Sequence, residues 1–139
     1  MGRNKYLILI LLLGIFILSS CSSPENVEES SSDSKNDYEQ ITPDEAKSLM
    51  DTEEDYIILD VRTEEEYNEA HIDGAILIPD YTIKEKAESI LTDKDQLILV
   101  YCRSGRRSKN ASSDLVSLGY TNIKEFGGII DWTYGTVAE

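Results

Sequence analysis

The sequence predicts an α/β domain whose mainly parallel sheet is covered by helices on both faces. Three observations lead there. Two apolar runs, "YIILDV" (56–61) and "QLILVYC" (96–102), have strand length and no polar alternation, the pattern of strands buried on both sides. Thr42 and Thr63 each stand three residues ahead of a glutamate, Glu45 and Glu66, which is the spacing of a capping box at a helix start. Strand-like and helix-like segments then alternate along the chain, as a parallel sheet with crossover helices requires.

Taken in order, "YEQI" (38–41) reads as a short opening strand. "TPDEAKSLM" follows as a helix with Thr42 at its N-cap and Pro43 at its first position, where the missing N–H does no harm. "YIILDV" is the second strand and "TEEEYNEA" (63–70) the second helix. "AILIP" (75–79) is a strand stopped by Pro79, and "IKEKAESIL" (83–91) an amphipathic helix expected to bury Ile83, Ala87, Ile90 and Leu91. "QLILVYC" is the most strand-like stretch. After "RSGRR", a helix runs through "SKNASSDLVSLG", with Ala111, Leu115 and Leu118 on one face and Gly119 as its stop. "NIKEF" is the fifth strand, and "GGIIDWTYGT" a turn leading into a short helix. Trp132 is expected in the core.

These elements occupy residues 38–139. Ahead of them, Arg3 and Lys5 precede a 13-residue apolar run (6–18), a positive n-region and short h-region typical of an export signal. Spanning a bilayer takes about 20 apolar residues, more than this run supplies. "LSSC" (18–21) resembles the lipobox of bacterial lipoproteins. That resemblance implies cleavage after residue 20 and a lipid-bearing (palmitate-type) Cys21 holding the chain to the extracytoplasmic face of a bacterial membrane. The serine- and acid-rich stretch after it, up to residue 37, has one aliphatic residue, Val27, and reads as a disordered tether. The expected organisation is a signal peptide over 1–20, lipidated cysteine and tether over 21–37, and one domain over 38–139.

The chain of 139 residues carries a formal charge of −14, which argues against a nucleic-acid partner. Against that background, "CRSGRRS" (102–108) sets three arginines within five positions of Cys102. The loop sits at a strand's carboxyl end, where open α/β sheets place their ligands. It leads into a helix whose first N–H groups have no intrahelical acceptor and form an anion site. Gly105 allows a tight cradle, and Ser104 and Ser108 add hydroxyl donors. All of these lower a thiol's pKa, and they equally stabilise a persulfide on that sulfur. With Cys21 lipidated, Cys102 has no disulfide partner, so a reactive thiolate is the reading these residues favour over a buried inert thiol.

Three blocks in order carry a family resemblance: "ILDVRTEEEYNEAHIDGAILIP" (58–79), "LVYCRSGRRS" (99–108) and "FGGIIDW" (126–132). Together they resemble the single-domain rhodaneses, sulfurtransferases that carry sulfane sulfur as a cysteine persulfide. The resemblance implies a five-stranded, mainly parallel sheet, a persulfide on Cys102, and a cradle of backbone amides from Arg103, Ser104, Gly105, Arg106 and Arg107. Arg103 and Arg107 would face anionic donors or close the loop, while Arg106 points to solvent. Asp60 and Arg62 would form a structural ion pair near the loop, and His71, the one histidine, would pack and hydrogen-bond. Small sulfur donors such as thiosulfate, cyanide or thiol acceptors, and a possible protein thiol acceptor are the implied partners, with no metal or organic cofactor. Two rival readings exist. A cysteine phosphatase needs Cys-x5-Arg, and position 108 here is Ser108. A redox-sensing or binding module would keep the thiol without the transfer.

Overall fold

The computed structural model describes residues 37–139; the signal segment, Cys21 and the tether up to residue 36 lie outside them. The two apolar runs form the centre of the sheet, β2 (Tyr56–Asp60) and β4 (Leu97–Cys102), paired in parallel from Tyr56 opposite Leu97 to Asp60 opposite Tyr101. β1 (Glu39–Gln40), β3 (Ile76–Leu77) and β5 (Ile123–Gly128) complete a five-stranded parallel sheet in the order β1-β5-β4-β2-β3. The helices are α1 (Pro43–Thr52), α2 (Glu64–Glu69), α3 (Ile83–Ile90) and α4 (Arg106–Ser117). Both capping boxes form: the Thr42 and Thr63 hydroxyls accept the amides of Glu45 and Glu66, and each glutamate reaches back to the cap. Among the described residues no helix is long and apolar enough to cross a membrane.

Because successive strand side chains point to opposite faces, β4 is divided between two cores. Ile98, Val100 and Cys102 pack with Leu59, Val61, Ile83, Ala87, Leu91, Ala111 and Leu115, beneath α3 and α4. Leu97, Leu99 and Tyr101 pack with Ile58, Ile72, Ala75, Phe126 and Ala46 of α1 on the other face. The thiol therefore belongs to the α4 side of the sheet. Each fully buried Leu or Ile there contributes about 1.5–3 kcal/mol of transfer free energy.

Two sequence expectations shift. Ile90 is 45% exposed, because the buried face of α3 follows the four-residue steps Ile83, Ala87, Leu91 and Ile90 falls beside it. Trp132 is half-buried: its ring edges Phe126 at a centroid distance of 5.8 Å, and its Nε1 donates to the Gly135 carbonyl at 2.9 Å. The turn after β5 is one short 3₁₀ turn, Ile129–Asp131.

Asp60 and Arg62 form a buried pair at the end of β2, 0% and 5% exposed. Arg62 donates to the Asp60 carboxylate from Nε at 3.0 Å and from Nη2 at 2.6 Å, and Nη2 also donates to the Ala70 carbonyl at 2.6 Å. This ties the end of β2 to the segment after α2. Replacing Arg62 by Ala leaves the buried Asp60 carboxylate with no counter-charge, only the backbone amide of residue 62 still donating to Oδ1, and frees the Ala70 carbonyl, and should destabilise the fold by about 3–5 kcal/mol. Urea melts of Arg62→Ala against the parent chain check this, and a loss below about 1 kcal/mol would contradict it.

Candidate active site

Connections leave β2 and β4 toward opposite edges of the sheet, so their carboxyl ends flank a topological switch point. Cys102 ends β4 and Gly105 is the N-cap of α4, with φ +98° in the left-handed region that favours glycine. That turn folds the chain back over the sulfur, and the Gly105 amide donates to Sγ at 3.0 Å. Burial, the largest influence on the thiol, raises its pKa. Hydrogen bonds from the Ser108 hydroxyl and amide and from the amides of Ser104 and Gly105 outweigh it, and the thiol titrates below its ordinary value.

The loop rests on β5. Val100 pairs with Glu125 and Cys102 with Gly128, so two steps on β4 face three on β5, a bulge carried by Gly127 at φ +87°. Gly128 then lies directly beneath the loop: a Cβ there would sit 2.2 Å from the Arg103 carbonyl oxygen and 2.6 Å from Ser104 Cα. Only a residue without a side chain permits that approach.

The three arginines separate. Arg107 donates from both terminal nitrogens to Glu66 of α2, at 2.7 and 2.8 Å, a bidentate bond across the switch point. Its charge is thus engaged in holding the loop to α2. Arg103 and Arg106 are exposed, as is Ser104. A cleft of about 250 Å³ beside the loop is lined by Arg103, Arg62, Glu66, Glu69, Ile129 and Ile130. Cys102 is 1% exposed and lies beneath the loop.

Asp60 pairs in register with Tyr101 on the opposite face from Cys102, so the Asp60–Arg62 pair supports the segment beside the site and only Arg62 reaches the cleft. His71 is 6% exposed, stacks on Tyr67 at 3.8 Å, and its Nδ1 bonds the Tyr67 carbonyl at 2.8 Å. It stands among packing residues rather than at the thiol. Among the described residues no group of three or more His, Cys, Asp or Glu could hold a metal ion.

Three contributors carry little signal in the sequence. The capping-box spacing accounts for Glu66 by itself, although its Oε2 serves both Thr63 and Arg107. Nothing in the spacing around Gly128 marks it as the support of the loop. Glu125 is 2% exposed behind the loop, and the alternation of "IKEF", with Ile123 on the core face two positions earlier, was the available sign of a buried acid.

The Arg107 guanidinium, first, and then the Thr63 backbone amide and hydroxyl hold the Glu66 carboxyl down from its usual 4.5 to about 2, against the opposing effect of partial burial. A depressed carboxylate adds stability that is full above its unfolded pKa and is lost as pH falls through the folded one. Glu66→Gln should therefore cost on the order of 2 kcal/mol at neutral pH after solvent screening. The difference from the parent should fade between pH 4.5 and about 2. Denaturant melts across that range measure it.

A family model described as "Rhodanese-like domain" matches residues 42–134. The chain is 40% identical over 73 residues to the thiosulfate sulfurtransferase PspE of Escherichia coli strain K12, covering 52% of this chain and 70% of that one. It is 36% identical over 88 residues to a sulfurtransferase of Allochromatium vinosum, covering 63% of this chain and 79% of that one. A solved rhodanese with anions from E. coli superposes with a TM-score of 0.57 at 36% identity, over 60% of this chain and 99% of that one. With its parallel sheet and thiol loop, the chain belongs to the rhodanese-like domain family, among relatives whose named activity is sulfur transfer.

Proposed function

We propose that this protein is a sulfurtransferase that takes sulfane sulfur from a thiosulfate-type donor onto Cys102 and passes it to a nucleophilic acceptor, a small thiol, cyanide or a protein thiol. The observation that carries the reading is the Cys102 sulfur itself, acidified beneath a turn whose Gly105 amide points at it. The thiolate attacks the outer sulfur of the donor. The donor's S–S bond breaks, its electron pair leaves on sulfite, and Cys102 carries a persulfide whose charge the amides of residues 103–107 meet. An acceptor nucleophile then attacks that outer sulfur, and the pair of the breaking S–S bond returns to Sγ. A sulfur 1% exposed suits a donor that presents a slender terminal atom. Exposed Arg103, at the cleft, is placed to meet the donor's anionic end. The phosphatase reading lacks its arginine, since Ser108 occupies that position and turns inward to Glu125.

Cys102→Ser should abolish thiosulfate-to-cyanide transfer, and mass spectrometry after donor treatment should find one added sulfur on the Cys102 peptide of the parent chain only. Transfer surviving in Cys102→Ser would refute the assignment. Arg103→Ala should raise KM for thiosulfate severalfold with kcat little changed, and added salt should mimic it, since exposed charges are screened beyond roughly 8–10 Å. Arg106→Ala should do least.

The location belongs to the same proposal. "LSSC" supports a lipid on Cys21, placing the domain on the extracytoplasmic face of a bacterial membrane. Expressed in a bacterium that processes lipoproteins, the chain should label with palmitate and Cys21→Ser should not. A mature N-terminus other than Cys21 would overturn the anchor without touching the chemistry.

A further inference from the structure

The cleft of about 250 Å³ beside the Cys102 loop carries charges that the fold leaves unmatched. Both ends of the loop border it: Arg103 directly follows the cysteine, and Glu66 grips Arg107. Four charged side chains line the cleft. Two are engaged within the fold, Arg62 with Asp60 and Glu66 with Arg107. The other two, Arg103 and Glu69, are exposed, and among the described residues neither forms an ion pair, with each other or with any other group. Opposite charges therefore stand on one cleft without meeting. Ile129 and Ile130 give it an apolar wall, Ile130 being 64% exposed.

Helix stability does not account for Glu69. It is the last residue of α2, where an acid faces the negative end of the helix dipole, and no basic residue shares that turn. An exposed carboxylate is ionised at neutral pH, so it also repels an anionic sulfur donor. Such a group has a use in the other half of the reaction, when the acceptor enters. We propose that the cleft is the acceptor subsite for a small aminothiol bearing a carboxylate: Glu69 receives its ammonium, Arg103 its carboxylate, and Glu69 sets the acceptor specificity. This rests on the sulfurtransferase reading above. The size agrees, since drug-sized ligands occupy pockets of roughly 300 Å³ and more, and this smaller cleft suits a molecule on the scale of an amino acid. Donor and acceptor use the cleft in turn, so Arg103 serves both and Glu69 only the second. In that step the acceptor thiolate attacks the outer sulfur of the Cys102 persulfide and a new S–S bond forms. The pair of the old S–S bond returns to Sγ, and the acceptor leaves as a persulfide.

The test uses the full chain carrying Cys21→Ser, so that Cys102 is the remaining thiol, loaded with inorganic polysulfide and freed of excess. Discharge is followed in single turnover with three thiols at matched thiolate concentration: cysteine with both charges, cysteamine with the ammonium alone, and 3-mercaptopropionate with the carboxylate alone. The parent should be half-saturated at the lowest concentration by cysteine. Glu69→Gln should raise that concentration about threefold for cysteine and cysteamine, and leave it equal or lower for 3-mercaptopropionate. The 3-mercaptopropionate arm thus reports that the variant is folded and loaded. Arg103→Ala should raise it for cysteine and 3-mercaptopropionate only, and Glu69→Asp should keep part of the preference for an ammonium. A parent that does not prefer cysteine to both other thiols would overturn the proposal. So would a Glu69→Gln effect that is equal for all three thiols or absent from all three, with the persulfide chemistry left standing. A chain that takes up no sulfur from polysulfide would instead overturn the transfer reading, and this subsite with it.

Discussion

The sulfur that the proposed reaction charges lies out of water and must be solvated by the chain itself, and this requirement organises the domain. Cys102 ends a strand whose residues are all buried, so bulk solvent cannot stabilise its thiolate. Backbone N–H groups replace it, and they converge only if the chain reverses within three residues and starts a helix at once. Gly105 makes that reversal, and α4 supplies the free amides of its first turn. The helix then has to be held against the sheet, which Ala111 and Leu115 do by packing on the same core face as the cysteine. Core, helix and nucleophile are in this sense one arrangement.

The proposed reaction adds a second requirement, that the loop keep its shape while its occupant changes. Its two sides rest on different elements. The Arg107–Glu66 fork fixes the far end to α2, and the close approach of Gly128 fixes the near end to β5. Neither contact uses the side chains of Arg103, Ser104 or Arg106, which remain exposed. The exposed side chains of the loop are therefore distinct from those that hold it in place.

The fold was largely legible because its signals are local. Two apolar runs of strand length pointed to central strands, and Thr42 and Thr63, each three residues before a glutamate, marked helix starts that formed as expected. The edge strands were legible in place but not in extent, since two-residue ladders such as Glu39–Gln40 are set by what β5 offers. At the site, Cys102 and its loop stood out by charge and by position at a strand end. What stayed hidden is long-range. Glu66 and Arg107 are 41 positions apart, and Ser108 and Glu125 17 apart, and no local pattern announces such meetings. Ile90 misled for the opposite reason: its hydrophobicity was plain, but the helix phase that left it outside depended on α4.

The bulge in β5 makes the loop sensitive to counting as much as to chemistry. Between Glu125 and Gly128 the strand spends one residue more than its neighbour, which lets an acid face α4 while a bare backbone passes under Arg103 and Ser104. In a strand with period two, losing that extra residue would exchange inside for outside from that point on. The surroundings of the sulfur would be dismantled with every residue of the cysteine loop intact. A fragment match confined to that loop therefore says less about a working site than the spacing of a segment some twenty residues downstream.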